Sequence, residues 1–87
     1  MDKRHSDIIV KRIKGLCEKR NFSINQLANM SGVSHSTLDN IVNGRSFNPR
    51  VQTLHRLALA FSMTLAEFLD FEELNDFSFE DDEEDKE

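Results

Sequence analysis

Hydrogen-bonding side chains are concentrated in the stretch after Val33. They are His35, Ser36, Thr37, Asn40 and Asn43. On a helix they would share one face, and the apolar residues between them would share the other, namely Leu38, Ile41 and Val42. A polar face with little net charge can pair with base edges in a DNA major groove. The alternative interpretation is an ordinary solvated helix face.

The residues just before this stretch predict a second short helix that would support it. Ser23 precedes Gln26 by three residues, the spacing of a capping box at a helix start. Gly32 follows where the chain must reverse, because glycine enters left-handed backbone without a Cβ clash. Residues 22–44 are therefore predicted to form two helices joined by a tight turn, with Ser34 capping the second. The apolar face of the first would consist of Leu27, Ala28 and Met30.

Three further helices are predicted from apolar spacing. One covers about residues 6–20, with a stripe of Ile9, Ile13, Leu16 and Cys17. Another opens at Asn48-Pro49, with proline in its first turn and a stripe of Val51, Leu54, Leu57, Ala58 and Phe61. The last covers about residues 65–71, starts at a Thr64–Glu67 capping box and buries Leu65, Phe68 and Leu69. No segment alternates with period two, so we expect no sheet.

Composition limits the classes of function. The chain has 87 residues and a single cysteine, which predicts one small domain without an internal disulfide. The three histidines are scattered, so no metal or cofactor site is expected. No apolar run approaches the roughly 18 residues of a membrane span, and the N-terminal residues lack a hydrophobic signal region, so we expect a cytoplasmic protein. Without a Ser/His/Asp set or a glycine-rich phosphate loop, an enzyme is not expected.

Charge divides the chain in two. Residues 1–66 hold ten Lys/Arg against four acids, a balance of +6, and residues 67–87 hold twelve acids and one lysine, a balance of −11. A basic body with an acidic tail is typical of proteins that bind nucleic acid or a protein partner. We predict a domain over residues 1–71 and an acidic, largely disordered tail over residues 72–87, with disorder clearest over 78–87. Within the tail, Leu74, Phe77 and Phe79 could cover the core edge, bind a partner, or be disordered.

From about residue 9 to 71 the chain resembles the lambda-repressor-like helix-turn-helix family, of the Cro/C1 or XRE type. The resemblance rests on Ile13-Lys14, Leu16, Ser23, Leu27-Ala28, Ser31-Gly32-Val33-Ser34, Ser36-Thr37-Leu38, Ile41, Asn43-Gly44-Arg45, Asn48-Pro49, Thr53-Leu54, Leu57-Ala58, Leu65 and Phe68. It implies a compact all-α bundle of five helices in which the third enters the major groove. It also implies dimers on two-fold symmetric operators.

Carried over by position, the resemblance assigns two sets of DNA contacts. The base-contacting set is Ser34, His35, Ser36 and Asn40. The phosphate-contacting set is Ser23, Asn25, Gln26, Thr37, Asn43, Arg45 and Arg50. Asp39 is unusual on such a helix, and would point sideways or accept a hydrogen bond from a cytosine amine.

Two departures from the family pattern matter. Ile24 stands where relatives often carry a phosphate-binding glutamine, so Asn25 or Gln26 would take over that contact. Cys17 and Val42 stand where many relatives have a buried Arg–Glu pair. Replacing both charges with apolar groups can be neutral, whereas losing one strands the other. We therefore predict that Cys17 and Val42 touch in the core.

The leading hypothesis is a sequence-specific DNA-binding transcriptional regulator, a homodimer formed through Phe68, Phe71 and Leu74. The alternative is an interaction module, such as an antitoxin or anti-regulator, whose acidic tail binds a protein through Phe77 and Phe79. A third idea is that the tail folds over the basic face and competes with DNA.

Overall fold

The computed structural model describes residues 5–46 and 48–78. Its helices are α1 (His5–Arg20), α2 (Ile24–Ser31), α3 (His35–Val42), α4 (Val51–Ala60), α5 (Leu65–Leu69) and α6 (Glu72–Asn75). These described residues contain no strand, so the all-α prediction is confirmed, although they form six helices where the sequence predicted five. None of these helices combines the length and apolar content needed to cross a membrane.

The first helix buries the stripe that its spacing predicts. Ile9, Ile13, Leu16 and Cys17 are each at most 6 % exposed. The helix ends where Asn21 takes a left-handed φ of 58°, and the N–H of Phe22 donates to the Cys17 carbonyl over 2.9 Å. This is a Schellman ending, in which asparagine takes the place usual for glycine.

Cys17 is a packing residue. Burial raises the pKa of its thiol, so the thiolate that a nucleophile requires is disfavoured. Val42 is half-buried and packs against the same core, to which α1 and α3 both contribute. A direct contact between Cys17 and Val42 stays a prediction.

Capping boxes begin α2 and α5, as the sequence predicts. At α2, Ser23 Oγ accepts from the Gln26 N–H at 3.1 Å, and Gln26 Oε1 accepts from the Ser23 N–H at 2.7 Å. At α5, Thr64 Oγ1 accepts from the Glu67 N–H at 3.0 Å, and Glu67 Oε1 accepts from the Thr64 N–H at 2.8 Å. Each box pairs two backbone N–H groups that a helix start otherwise leaves without a partner.

The fourth helix starts later than the sequence predicts. It begins at Val51 with Arg50 as its N-cap, so Pro49 lies before the helix and not in its first turn. The apolar stripe holds for Leu54, Leu57, Ala58 and Phe61, all buried, but Val51 is 65 % exposed. At about 100° per residue Val51 falls at the edge of the arc that the buried residues share, which explains the difference.

The fifth helix ends earlier than predicted, at Leu69 in place of Phe71. The Arg12 guanidinium explains this end: its Nε donates to the Phe68 carbonyl and its Nη2 to the Glu67 carbonyl, both at 3.0 Å. Both carbonyls lie in the last turn of the helix, where i+4 partners run out. The Glu67 carbonyl also accepts from the Asp70 N–H at 3.2 Å. Phe71 then takes extended backbone and becomes the N-cap of α6, with the Arg12 guanidinium 4.9 Å from its ring centroid.

Three stacked phenylalanines form the centre of the core. The rings of Phe61 and Phe68 lie 6.3 Å apart between centroids, and Phe22 stacks on Phe61 at 5.9 Å. Phe68 is 0 % exposed. Its predicted part in a dimer surface is therefore wrong, because it could meet a second subunit only if the core opened. Phe71 and Leu74 remain partly exposed at the core edge.

The first residues of the acidic segment belong to the helical body. Helix α6 lies against α1, where Lys11 Nζ and Glu73 Oε2 are 3.2 Å apart. Leu74 packs against the core, which confirms the core-edge interpretation for this residue. The Phe77 ring lies 6.5 Å from that of His5. Residues 79–87, including Phe79, lie outside the described residues, so the expected disorder there stays a prediction.

Candidate nucleic-acid interface

The second and third helices are fixed by apolar residues on their inner sides. Leu27 and Ala28 of α2 and Leu38 and Ile41 of α3 are buried. Between the helices Gly32 takes a left-handed φ of 77°, and its N–H donates to the Ala28 carbonyl at 3.0 Å. The turn that the sequence predicts is therefore present. It joins α2 directly to α3, and the two helices pack against each other.

Met30 does not belong to the inner side of α2, contrary to the prediction. It is 52 % exposed. At about 100° per residue it falls outside the arc that Leu27 and Ala28 share. Ile24, by contrast, is half-buried and packs against the core. This contact accounts for an apolar residue at the first position of α2.

The outer face of α3 is exposed, as its pattern predicts. Solvent reaches His35, Ser36, Thr37, Asn40 and Asn43. The described residues leave most of this face uncovered, so its imidazole, hydroxyl and amide groups are accessible to a partner.

At the start of α3, two hydroxyl groups are bonded to each other. Ser34 is the N-cap, and its Oγ accepts from the Thr37 N–H at 3.0 Å. The Ser34 hydroxyl also donates to Thr37 Oγ1 at 2.9 Å. The Ser34 proton is thereby used, and the Thr37 proton remains available to an external acceptor.

The start of α2 offers two hydrogen-bond donors side by side. In its capping box, Ser23 uses Oγ as an acceptor and Gln26 uses Oε1 as an acceptor. The hydroxyl proton of Ser23 and the amide NH2 of Gln26 remain for an external acceptor. Asn25 is exposed in the same turn. Donors at a helix N-terminus suit a phosphate oxygen.

At the other end of α3, four side chains form one network. Arg45 Nη2 donates to Asp39 Oδ2 and Arg45 Nε donates to Asn40 Oδ1, both at 3.0 Å. Asn43 Nδ2 donates to the Asp39 carbonyl and to Asp39 Oδ1, both at 2.9 Å. Asp39 is thus turned toward Arg45 and Asn43. A phosphate contact by Asn43 stays a prediction that would require one of these bonds to be exchanged.

Several cations of the basic body are occupied within the protein, which the sequence reasoning missed. Arg12 caps α5, Lys11 pairs with Glu73, and Arg20 donates to the Phe61 carbonyl at the end of α4. Arg12 and Arg20 keep their charge, but their donors are committed within the protein. The balance of +6 over residues 1–66 therefore overstates the number of cationic side chains that can contact a polyanion directly. Arg50 is exposed beside the loop that follows α3.

Solved structures with the same architecture include a protein of prophage Lp1 and the SinR–SinI complex. The crystal structure of prophage Lp1 protein 11 superposes with a TM-score of 0.78 over 87 % of this chain and 100 % of that one, at 24 % identity. The complex of the SinR and SinI proteins gives a TM-score of 0.66 at 28 % identity, over 83 % of this chain and 69 % of that one. The first similarity concerns the fold alone.

The amino-acid sequence is similar to that of a transcriptional regulator. The chain is 43 % identical over 65 residues to the HTH-type transcriptional regulator SlrR of Bacillus subtilis (strain 168). The match covers 74 % of this chain and 43 % of SlrR, so the chain spans less than half of that relative's length. Residues 12–73 match the Cro/C1-type HTH DNA-binding domain, a stretch that contains α2, the turn and α3 whole. The chain therefore belongs to the Cro/C1-type helix-turn-helix DNA-binding domain family.

Proposed function

We propose that this chain is a sequence-specific DNA-binding transcriptional regulator that inserts α3 into the major groove. One observation carries the proposal: the inner side of α3 is pinned by buried Leu38 and Ile41, while its outer side exposes only polar groups. A major groove admits one α-helix and presents donors and acceptors that differ for each base pair. Membership of a family of DNA-binding domains supports the same function.

Within this proposal, contacts divide by position along the two helices. His35, Ser36 and Asn40 read base edges, together with Ser34 through its remaining acceptor lone pair. Phosphates are held at the start of α2 by Ser23, Asn25 and Gln26, and beside α3 by Thr37, Arg45 and Arg50. The free protons of Ser23, Gln26 and Thr37 support this assignment, because a phosphate oxygen only accepts.

We further propose that two copies bind a two-fold symmetric operator. Dimeric helix-turn-helix proteins place their reading helices about one helical turn of DNA apart, so each copy meets its own half-site. Phe71 and Leu74, partly exposed at the core edge, are the apolar residues that we assign to the contact between copies.

Selection from a random-sequence duplex pool tests the proposal directly. We expect enrichment of a motif whose two halves are related by inversion and spaced by about 10 base pairs. A single motif without an inverted repeat would support sequence-specific binding and contradict binding as a symmetric dimer. Recovery of random sequences after several rounds would contradict sequence-specific binding.

A second candidate function is binding of a protein partner by the acidic segment. The similarity to a solved complex of SinR with SinI favours it, as does the balance of −11 over residues 67–87. Deletion of residues 79–87 tests this candidate function and leaves α6 and the packing of Leu74 in place. Undiminished capture of a partner by the truncated chain would exclude the acidic end as the binding segment.

The same truncation tests competition between the acidic end and DNA. If that end covers the basic face, its removal will tighten binding to random DNA, most at low salt where charges are least screened. An unchanged affinity of the truncated chain for random DNA at low salt would contradict this competition.

A further inference from the structure

The network at the end of α3 is built on backbone geometry. Gly44 has a left-handed φ of 77°, and the Arg45 N–H donates to the Asn40 carbonyl at 2.9 Å. This is a Schellman ending, which returns the residue after the glycine to the helix turn that contains residue 40. The Arg45 side chain therefore starts beside Asn40 and does not have to be recruited from a distance.

From this position one guanidinium contacts two side chains of α3. Its Nε donates to Asn40 Oδ1 and its Nη2 to Asp39 Oδ2, each at 3.0 Å. A planar guanidinium presents its donors in a fixed fork, so the two contacts constrain each other. The Asp39 carboxylate is fixed in turn by Asn43, which donates to its Oδ1 at 2.9 Å.

The fork decides which part of the Asn40 amide faces outward. With Oδ1 turned to Arg45, the NH2 group is the part left for a partner. An asparagine that reads adenine uses both ends of its amide, accepting from N6 and donating to N7. A donor end alone fits a base that shows only acceptors in the major groove. Thymine shows one acceptor, O4, beside its methyl group, whereas guanine shows two, N7 and O6, and so can accept from both N–H bonds of the amide NH2.

We propose that Arg45 and Asp39 are positioning residues that set the base preference of Asn40, and that Asn40 selects guanine. The inference rests on the proposed function, since it assigns a base to a residue of the reading helix. It differs from a plain phosphate role for Arg45. Two of the five guanidinium N–H donors are used in the fork, so Arg45 can hold Asn40 and contact phosphate together.

The test begins with the motif that the intact chain selects from a random duplex pool. Asn40→Ala identifies the position that Asn40 reads, because preference there is lost while the other positions keep theirs. Duplexes carrying each of the four base pairs at that position are then titrated. We expect guanine to be preferred over adenine by about tenfold, within the range that one base contact supplies.

Two variants then separate positioning from charge. Arg45→Lys keeps the positive charge and removes the fork, so we expect the guanine preference to fall at least about fivefold while affinity for random DNA changes less than about twofold. Asp39→Asn keeps the size and releases the guanidinium; it should lose the same preference and bind random DNA more tightly. Glu18→Gln is the matched control: it removes one negative charge, as Asp39→Asn does, at an exposed position of α1, and should leave the guanine preference intact.

The outcomes are distinct. Failure of the intact chain to enrich any motif would overturn the proposed function and the inference with it. An enriched motif in which any base other than guanine is preferred at the Asn40 position would leave the function standing and overturn the inference. The inference would also be overturned if Arg45→Lys and Asp39→Asn both kept the guanine preference within about twofold of that of the intact chain. It would be overturned as well if Asn40→Ala altered the preference at no position. Circular dichroism of each variant ensures that a loss reflects binding and not folding.

Discussion

An arginine has a different role at each of two places in the molecule, the contact between α1 and α5 and the outer face of α3. At the junction, Arg12 donates to backbone carbonyls 55 and 56 residues away, next to phenylalanines stacked in the core. On α3, Arg45 donates to side chains five and six residues earlier, and the Arg45 and Asp39 side chains are 59 % and 60 % exposed. The first arrangement joins distant parts of the fold, and the second shapes a surface. Substitutions in the two regions should therefore separate into effects on stability and effects on binding.

The largest effect is expected at the core side of this comparison. Phe68→Ala should lower the free energy of unfolding by about 3–5 kcal/mol, because a fully buried ring is replaced by a cavity. Urea denaturation followed by circular dichroism measures it. Ser36→Ala, on the exposed face of α3, is the control and should change stability by about 0.5 kcal/mol or less. A small loss for Phe68→Ala would mean that this ring is not in the core of the protein in solution.

Replacing the long-range arginine should have the next largest effect. Arg12→Met keeps the length of the side chain and removes both bonds to the α5 carbonyls, so we expect a loss of about 2 kcal/mol in unfolding free energy. Lys14→Met on the exposed side of α1 is the matched control. Equal losses in the two variants would show that Arg12 acts only through the charge of α1.

On the α3 side, stability should stay constant while binding changes. His35→Ala should weaken binding to selected DNA by roughly 1–3 kcal/mol and relax preference at one base position. His55→Ala, at an exposed position of α4, is the matched control and should bind as the intact chain does. Titration of selected and random duplexes measures both. A loss of equal size on the two kinds of duplex would remove His35 from the base-reading set.

The smallest effects are expected from two glycines, Gly15 in α1 and Gly32 in the turn before α3. Gly15→Ala in α1 should stabilise by about 0.5–1 kcal/mol, because nothing lies within 4 Å of the new Cβ and alanine favours a helix. Gly32→Ala also has free space, but its φ of 77° strains any side chain, so we expect a loss of about 1 kcal/mol. Thermal denaturation should move the two midpoints in opposite directions. A shift of the same sign in both would contradict the left-handed turn.

Features that depend on neighbours in sequence were predictable. The boxes at Ser23–Gln26 and Thr64–Glu67 follow from a spacing of three residues, and the left-handed turn at Gly32 follows from its lack of a Cβ. The exposed face of α3 follows equally from periodicity.

Features that depend on distant residues were not predictable from the sequence. The end of α5 is set by Arg12, which apolar spacing counts only as a charge on the surface of α1. The fork at Arg45 joins residues only five and six positions apart, but apolar spacing does not tell which polar side chains meet. The turn at Gly44 brings Arg45 into contact with Asp39 and Asn40.

Ser34 caps the start of α3 and is exposed, and the proposed function also assigns it a base contact. Any replacement that alters a base contact there must still accept from the Thr37 N–H, or the first turn frays at a cost of about 1 kcal/mol. Only serine, threonine, aspartate and asparagine satisfy that demand well. Under the proposed function, changing the recognised DNA sequence would therefore be least constrained at His35 and Ser36, where the side chain can vary without removing the cap of the helix.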